Sequence, residues 1–344
     1  MTRRLALCAL LLVVAVPLFA GRRRAVQPGA PSRCAFSSTP LAVDADVNMM
    51  VRDATHLYWV DAFGPTLRRV PLDGGAVEEL ADLSRWVPFD LTIDDTHLYL
   101  TTLTADATEE VFEGDIVSVP KGGGTPLVLR SRVQAAFDLE VDATHIYWLS
   151  AGTLDFNAET QPADGEVARM RKDGTGAETL AADLAFPLDL ALDGDQVYFG
   201  QTGNPLSGQK FGLFRVAKSG GAVVTLNERI IVGQLTVLPD SLLFWGAGDV
   251  TPNGLFRIAK DGTNLRTLLV DEYVASGASV VGGQAYTLYT DEERNTYGIR
   301  RIDLANPSAA TIVAEGLYIV DFEVDECSVI FSDGARGTIV RQAR

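Results

Sequence analysis

With 344 residues, 47% hydrophobic and 22% charged side chains, the chain is long enough to bury a large core and is charged like an ordinary globular protein. Its 29 basic and 45 acidic residues leave a formal charge of −16. Such a surface repels phosphate backbones and anionic lipid, which disfavours a nucleic-acid role.

At the N-terminus, Arg3 and Arg4 precede an apolar run from Leu5 to Ala20, the length of a signal-peptide core and short for a membrane span. Residues 1–20 therefore read as a signal peptide and place the protein outside the cell, in the periplasm or in the cell envelope. Arg22, Arg23 and Arg24 oppose translocation, so an uncleaved N-terminal anchor stands as the alternative. Without the signal two cysteines are left, Cys34 and Cys327, and an even pair in an exported chain points to one disulfide. Residues 21–35, rich in Gly, Pro, Ser and Arg, read as a flexible leader, and residues 36–344 as one domain.

Within that domain one phrase returns: Asp53-Ala54-Thr55-His56-Leu57-Tyr58-Trp59, Asp94-Asp95-Thr96-His97-Leu98-Tyr99-Leu100 and Asp142-Ala143-Thr144-His145-Ile146-Tyr147-Trp148. Weaker copies lie at Asp193–Phe199, Pro239–Trp245, Gly282–Thr287 and Asp325–Phe331. The aromatic position recurs at Trp59, Leu100, Trp148, Phe199, Trp245, Thr287 and Phe331, at intervals of 41, 48, 51, 46, 42 and 44 residues. These are propeller-blade spacings, and they predict an all-β propeller of seven four-stranded blades, with six as the alternative.

Each unit reads as four strands. The first alternates (Leu91-Thr92-Ile93-Asp94) and ends in an Asp-x-Thr turn whose carboxylate can accept backbone N–H groups two residues on. The second carries the aromatics, the third (Leu255–Lys260) ends in a glycine turn such as Asp261-Gly262, and the fourth is an edge. The last unit runs out after Thr338–Arg341, before a fourth strand. Thr39-Pro40-Leu41-Ala42-Val43 resembles the fourth strand Thr125–Leu129, so the N-terminal strand is expected to complete the seventh blade and close the ring. A Cys34–Cys327 bond would lock that junction.

Phe256-Arg257-Ile258-Ala259-Lys260-Asp261-Gly262-Thr263-Asn264-Leu265-Arg266-Thr267-Leu268 is similar to the third and fourth strands of the YWTD-type propeller repeat of low-density-lipoprotein-receptor relatives, and Leu57-Tyr58-Trp59-Val60-Asp61 stands where that repeat has Tyr-Trp-Thr-Asp. Exported bacterial proteins of unassigned function carry similar repeats. The resemblance spans residues 47–344 and implies the fold and a role in protein binding. The chain departs from the receptor propellers in having seven units rather than six, and only its first copy keeps the Asp after Trp.

The three histidines, His56, His97 and His145, share one repeat position. Equivalent positions on successive blades are too far apart to hold one zinc ion, and a catalytic base is a singleton, so a turn-stabilising role is expected. Trp59, Trp148 and Trp245 likewise share one slot and read as packing between blades. More informative is the set that opens the first strands: Asp90, Asp138, Asp189 and Asp321, with Gln234 in the same place and Met49 and Ala278 interrupting it. Lining the central channel, these groups either tie blades together through backbone N–H groups or form a ligand site. Hard cations prefer clustered carboxylate oxygens, which makes calcium the candidate metal.

The longest loops, Thr104–Asp115 and Thr153–Glu166 with Asn204–Lys210 beside them, lie on the face of that ring and carry Asp106, Glu109, Glu110, Glu113, Asp115, Asp155, Phe156, Glu159, Asp164 and Glu166. The connections between blades add Trp86, Phe89, Phe137, Phe186 and Tyr273. An acidic rim around an apolar centre suits a protein, a peptide or a small ligand. The sequence thus predicts an exported, monomeric, non-enzymatic propeller that binds at its channel mouth. A hydrolase or lyase using two carboxylates on the same face is the alternative.

Overall fold

Side chains in a strand point alternately to its two faces, so an apolar pair such as Tyr58-Trp59 packs in two directions at once. The computed structural model, which describes residues 25–26, 40–104, 112–154, 162–203, 208–247, 253–270, 278–291, 296–315 and 318–344, shows what those directions are. Two short strands, β1 (Ala25–Val26) and β2 (Ala42–Val43), precede the first blade. Blade 1 is β3 (Val47–Arg52), β4 (His56–Asp61), β5 (Thr66–Pro71) and β6 (Glu78–Asp82). Blade 2 is β7 (Trp86–Ile93), β8 (His97–Thr104), β9 (Glu113–Pro120) and β10 (Leu127–Gln134), and blade 3 is β11 (Ala136–Val141), β12 (His145–Ser150), β13 (Gly165–Arg171) and β14 (Glu178–Leu184). Blade 4 is β15 (Pro187–Asp193), β16 (Gln196–Thr202), β17 (Phe211–Ala217) and β18 (Val224–Asn227). Blade 5 is β19 (Ile231–Val237), β20 (Ser241–Ala247), β21 (Gly254–Ala259) and β22 (Arg266–Val270). Blade 6 is β23 (Ser279–Val281), β24 (Gln284–Asp291), β25 (Thr296–Asp303) and β26 (Thr311–Glu315). Blade 7 is β27 (Phe322–Val324), β28 (Ser328–Asp333) and β29 (Thr338–Ala343), with β2 as its outer strand.

Seven antiparallel blades therefore stand in a ring, and no helix occurs among the described residues. The alternative of six blades is excluded. The ring closes as the sequence implies: Ala42 pairs with Ile339 and Val43 with Thr338, while the Leu41 N–H donates to Ile339 O at 2.8 Å and the Ala45 N–H to Gly337 O at 2.9 Å. One pairing has no sequence signal. Ala25–Val26, inside the leader read as flexible, run parallel to Val280–Val281 on the channel edge of β23. That edge offers unpaired backbone groups, and two residues suffice to take them up.

The core is divided among the seams, one cluster to each. Tyr58 packs forward with Leu91, Leu98 and Leu100 of blade 2, while Trp59 packs back with Ile330 and Ile339 of blade 7. Tyr147 faces Phe199 and Phe214 of blade 4, and Trp148 faces Tyr99 and Ile116 of blade 2. Tyr198, Phe244 and Phe256 fill the next seam, Leu243 and Ile302 the one after, and Tyr286, Phe322 and Phe331 the seam between blades 6 and 7. Removing any one of these rings opens a seam rather than thinning a common interior.

The recurring turn supplies a second lock. Asp53 Oδ1 accepts the N–H of Thr55 at 2.7 Å, the Thr55 hydroxyl at 2.8 Å and the His56 N–H at 2.8 Å, and Oδ2 accepts the Tyr58 hydroxyl at 3.0 Å. Asp94 and Asp142 repeat the pattern with Thr96, His97 and Tyr99, and with Thr144, His145 and Tyr147. Each Thr hydroxyl also bonds the Nδ1 of the following His, so the histidines belong to the turns, as the repeat implied. A lysine from the next blade completes each site: Lys121 reaches Asp53 at 2.6 Å, Lys172 reaches Asp94 at 2.7 Å, Lys218 reaches Asp142 at 3.0 Å and Lys260 reaches Asp193 at 2.6 Å. The first three ammonium groups also lie 5.1–5.8 Å from the centre of the facing tyrosine ring.

Burial pushes the Asp53 carboxyl up, but Lys121 and the N–H groups of Thr55 and His56 outweigh it and hold the group well below the usual carboxylate range. Asp94 and Asp142 are held down by the same opposition. Burial and the facing carboxylate push Tyr58 and Tyr147 up to about 12, and Tyr99 is raised too.

The glycine turns sit beside these lysines. Gly123 has φ 85°, and a Cβ there would come 3.1 Å from Leu80 O of the preceding blade, whose carbonyl accepts the Gly124 N–H at 3.0 Å. Glycine serves the turn and the close approach together. Blade 1 has Leu72 in the lysine slot, and the closing seam is built differently. Arg341 of blade 7 holds its own Asp325 at 3.1 Å and donates to Leu72 O at 2.7 Å.

Candidate functional site

The turns just described occupy one face of the ring. The opposite face carries the second-to-third-strand loops and the links between blades, and there three phenyl groups meet. Phe89 (β7) and Phe137 (β11) stack with centroids 5.2 Å apart, and Phe186, in the link from β14 to β15, meets Phe137 edge-on at 6.1 Å. Phe137 is buried, while Phe89 and Phe186 are half-buried. Ala135, Ala151 and Leu154 back the row, and Phe112 packs beside it. One ring from each of blades 2, 3 and 4 thus forms an apolar strip at the channel mouth.

The chain is strained where it leaves the outer strands β10 and β14 for blades 3 and 4. Arg132 (φ 60°) and Ala135 (φ 41°) precede blade 3, and Asp183 (φ 56°) and Phe186 (φ 49°) precede blade 4. Left-handed backbone costs a bulky side chain of order 1–3 kcal/mol, and it persists only where the surroundings enforce it. Two successive strand-to-link junctions carrying the same pair three residues apart mark a shape imposed on this part of the mouth.

The Asp ring has a different role from the row. Asp90 Oδ2 accepts the Leu139 N–H at 2.9 Å, Asp138 the Leu190 N–H at 2.5 Å, Asp189 the Leu235 N–H at 2.5 Å and Asp321 the Met50 N–H at 2.7 Å. Every one of these bonds crosses from one blade to the next, the tying function weighed above. Gln234 occupies the same slot half-buried, and the Thr236 hydroxyl donates to Ala278 O at 2.6 Å to join blades 5 and 6. Calcium needs several oxygens converging on one point, and among the described residues no group of three or more His, Cys, Asp or Glu side chains is so placed.

Trp86 stands apart from the phenyl row. Its ring is 4% exposed in the cluster between blades 1 and 2, with Nε1 donating to Asp115 Oδ2 at 2.8 Å and the Arg85 guanidinium 4.4 Å above it. The described rim acids are all engaged. Asp164 accepts the Thr153 N–H and hydroxyl at 2.9 and 2.7 Å, Glu166 the Thr179 hydroxyl at 2.7 Å, and Glu113 lies 3.7 Å from Arg132. Asp106, Glu109, Glu110, Asp155, Phe156, Glu159 and Tyr273 lie outside the described residues, as do Cys34 and the signal-like residues 1–20.

The Asp61 carboxyl is raised above its ordinary range, by burial first and by Asp46, against the pull of Trp59 Nε1 at 2.9 Å and Arg68 at 2.7 Å. It stands on blade 1 and lines neither of two clefts formed by described residues. One cleft, about 360 Å³, opens on the loop face between blades 3 and 4 beside Gln201 and Lys210. The other, about 690 Å³, lies on the turn face between blades 2 and 3, over Asp94, His97 and Lys172.

No protein-family model matches the chain, and a comparison with curated proteins finds no match either. Solved structures do resemble it. An oligogalacturonate lyase from Vibrio parahaemolyticus shares 10% identity over 88% of this chain and 91% of its own, with a TM-score of 0.62. A puromycin-hydrolyzing peptidase from Mycobacterium tuberculosis shares 14% identity over 77% of this chain and 44% of its own (TM-score 0.55). TolB from Acinetobacter baumannii shares 12% identity over 76% and 63% (TM-score 0.52). The chain spans less than half of that peptidase and less than two thirds of that TolB. At such identities the likeness is one of fold, and the protein is a seven-bladed β-propeller.

Proposed function

We propose that the propeller is a non-enzymatic binding module whose ligand face is the channel mouth over blades 2 to 4. The observation that carries this reading is the Phe89–Phe137–Phe186 row, two of whose rings, Phe89 and Phe186, are half-buried, the latter on a strained link. A protein or peptide segment with aromatic or aliphatic side chains fits the row, and a charge of −16 favours one with basic flanks by steering its approach. The YWTD-type resemblance, with its implied role in protein binding, belongs to the same reading.

So does export. Residues 1–20 act in this reading as a signal, and no helix among the described residues is long and apolar enough to cross a membrane. Cys34 falls in the sequence between β1, which joins blade 6, and β2, which joins blade 7, and Cys327 sits in the first turn of blade 7. A bond between them is the expected link across the closure.

The rival hydrolase or lyase needs two carboxyl groups facing one pocket with one of them raised. The turn-face cleft has Asp94, Asp95 and Asp142, of which Asp94 and Asp142 are held low by their turns and lysines, and the raised Asp61 lines neither cleft. The test is direct. Peptides selected from a displayed library against the intact protein are titrated by fluorescence anisotropy. Phe89→Ala and Phe186→Ala should each weaken binding at least tenfold, and Leu127→Ser, on an exposed position of β10, should not. Affinity indifferent to both phenylalanines would refute the assignment.

A further inference from the structure

The smaller cleft holds an observation that neither the fold nor the phenyl row explains. Gln201, near the end of β16, is 4% exposed. Its Nε2 donates to Lys210 O at 3.0 Å, whereas Oε1, equally buried, accepts from no group among the described residues. A buried amide oxygen without a donor is costly, and in a native protein it calls for a cause.

Gln201 lines the cleft of about 360 Å³ between blades 3 and 4, with Nε2 turned to Lys210 on the same wall and Oε1 buried behind the surface without a donor among the described residues. Lys210 and Asp183 line the same space, one cation and one anion, both exposed. Leu184, Ala185 and Phe214 give it an apolar wall. Asp183, near the end of β14, is held at φ 56°. One water molecule would satisfy Oε1, but the space is many times that of one water and is bordered by both charges. Its volume falls at the low end of the range on the order of 300–1,000 Å³ typical of small-molecule sites.

We propose that this cleft binds a small zwitterion of the amino-acid class. The ammonium group donates to Gln201 Oε1 and is neutralised by Asp183, the carboxylate meets Lys210, and an apolar side chain lies on Leu184, Ala185 and Phe214. Opposite charges along one lining select against ligands carrying only one: a plain carboxylic acid leaves Gln201 Oε1 without a donor, and a plain amine leaves Lys210 without a partner. The site is separate from the phenyl row, and its failure leaves the peptide reading intact.

Thermal melting and calorimetric titration of the intact protein test this, with glycine, L-leucine, L-phenylalanine, 4-methylpentanoate and 3-methylbutylamine as probes at millimolar concentration. L-Leucine or L-phenylalanine should raise the melting temperature, and the two single-charge analogues should not. Lys210→Met, an exposed change that leaves the unliganded melting point in place, should weaken the bound amino acid at least tenfold, as should Gln201→Met if it folds. The proposal is overturned if no amino acid of the set stabilises the protein, if the single-charge analogues do so equally, or if Lys210→Met binds like the parent.

Discussion

Lys121 Nζ stands 2.6 Å from Asp53 Oδ2 across the seam between blades 1 and 2, and Lys172, Lys218 and Lys260 make the same contact across the next three. On the other face, carboxylates of blades 7, 2, 3 and 4 bind the first-strand N–H of the following blade. Each seam with both contacts is pinned at both ends around its apolar cluster. The blades are thus located relative to one another by polar geometry as well as by packing, which fixes where the phenyl row stands.

The two halves of the lysine contact differ in worth. Lys172→Met removes a partly exposed ion pair and should cost about 0.2–1 kcal/mol. Asp94→Ala strips the acceptor from Thr96, His97, Tyr99 and Lys172 together and should cost about 1–3 kcal/mol. Urea unfolding of both variants measures the difference, and equal costs would show that the turn itself contributes nothing.

Acid should weaken the fold through these same groups. Asp53, Asp94 and Asp142 are held below their ordinary range in the folded protein, so their stabilisation is full above the unfolded value of about 4 and fades as pH falls below it. The urea midpoint should drop steeply below about pH 4, and less steeply in Asp94→Ala. A parallel pH dependence in the variant would contradict the assignment.

Alkali acts with the opposite sign. Tyr58 and Tyr147 are raised to about 12 and Tyr99 is raised as well, so their contribution is full below about pH 10 and is lost as pH climbs through the folded values. Absorbance at the tyrosinate band should show a late-ionising group of three, and Asp94→Ala should bring one of them earlier.

Phe186 separates binding from folding. Phe186→Gly relieves a left-handed φ of 49° while losing a half-buried ring, and the two effects should nearly cancel, leaving a loss of about 1 kcal/mol or less. Peptide affinity should nevertheless fall at least tenfold. Trp148→Ala should do the reverse: it opens the seam between blades 2 and 3 at about 3–5 kcal/mol and leaves the affinity of the folded fraction unchanged.

Much of the architecture was legible because the repeat writes it several times over. The spacing of Trp59, Trp148 and Phe199, the Asp-x-Thr turns and the orphan strand before Asp44 together implied seven blades and their closure. The sequence places Phe89, Phe137 and Phe186 between blades. Phe186 does lie there, while Phe89 and Phe137 stand near the start of first strands β7 and β11, and the three still meet. The lysine contacts were harder to see. Lys121, Lys172, Lys218 and Lys260 share the slot before a glycine turn, but their partners lie a blade earlier, and only the ring brings the two together. Trp86 looked like a member of the mouth until Asp115, on a strand two places on, drew its indole into the seam. Gln201 carried no signal at all, since an acceptor without a donor is a property of its surroundings in space. The pairing of Ala25–Val26 was equally silent, because two residues carry no period.

Everything said of the mouth depends on a ring closed by the strand that precedes blade 1, and hydrogen exchange followed by mass spectrometry reads that strand directly. If Leu41 and Ala45 donate to Ile339 and Gly337 as described, the segment 40–46 exchanges as slowly as 338–343. Exchange of 40–46 at the rate of an unstructured tail, with 338–343 protected, would contradict the closed ring.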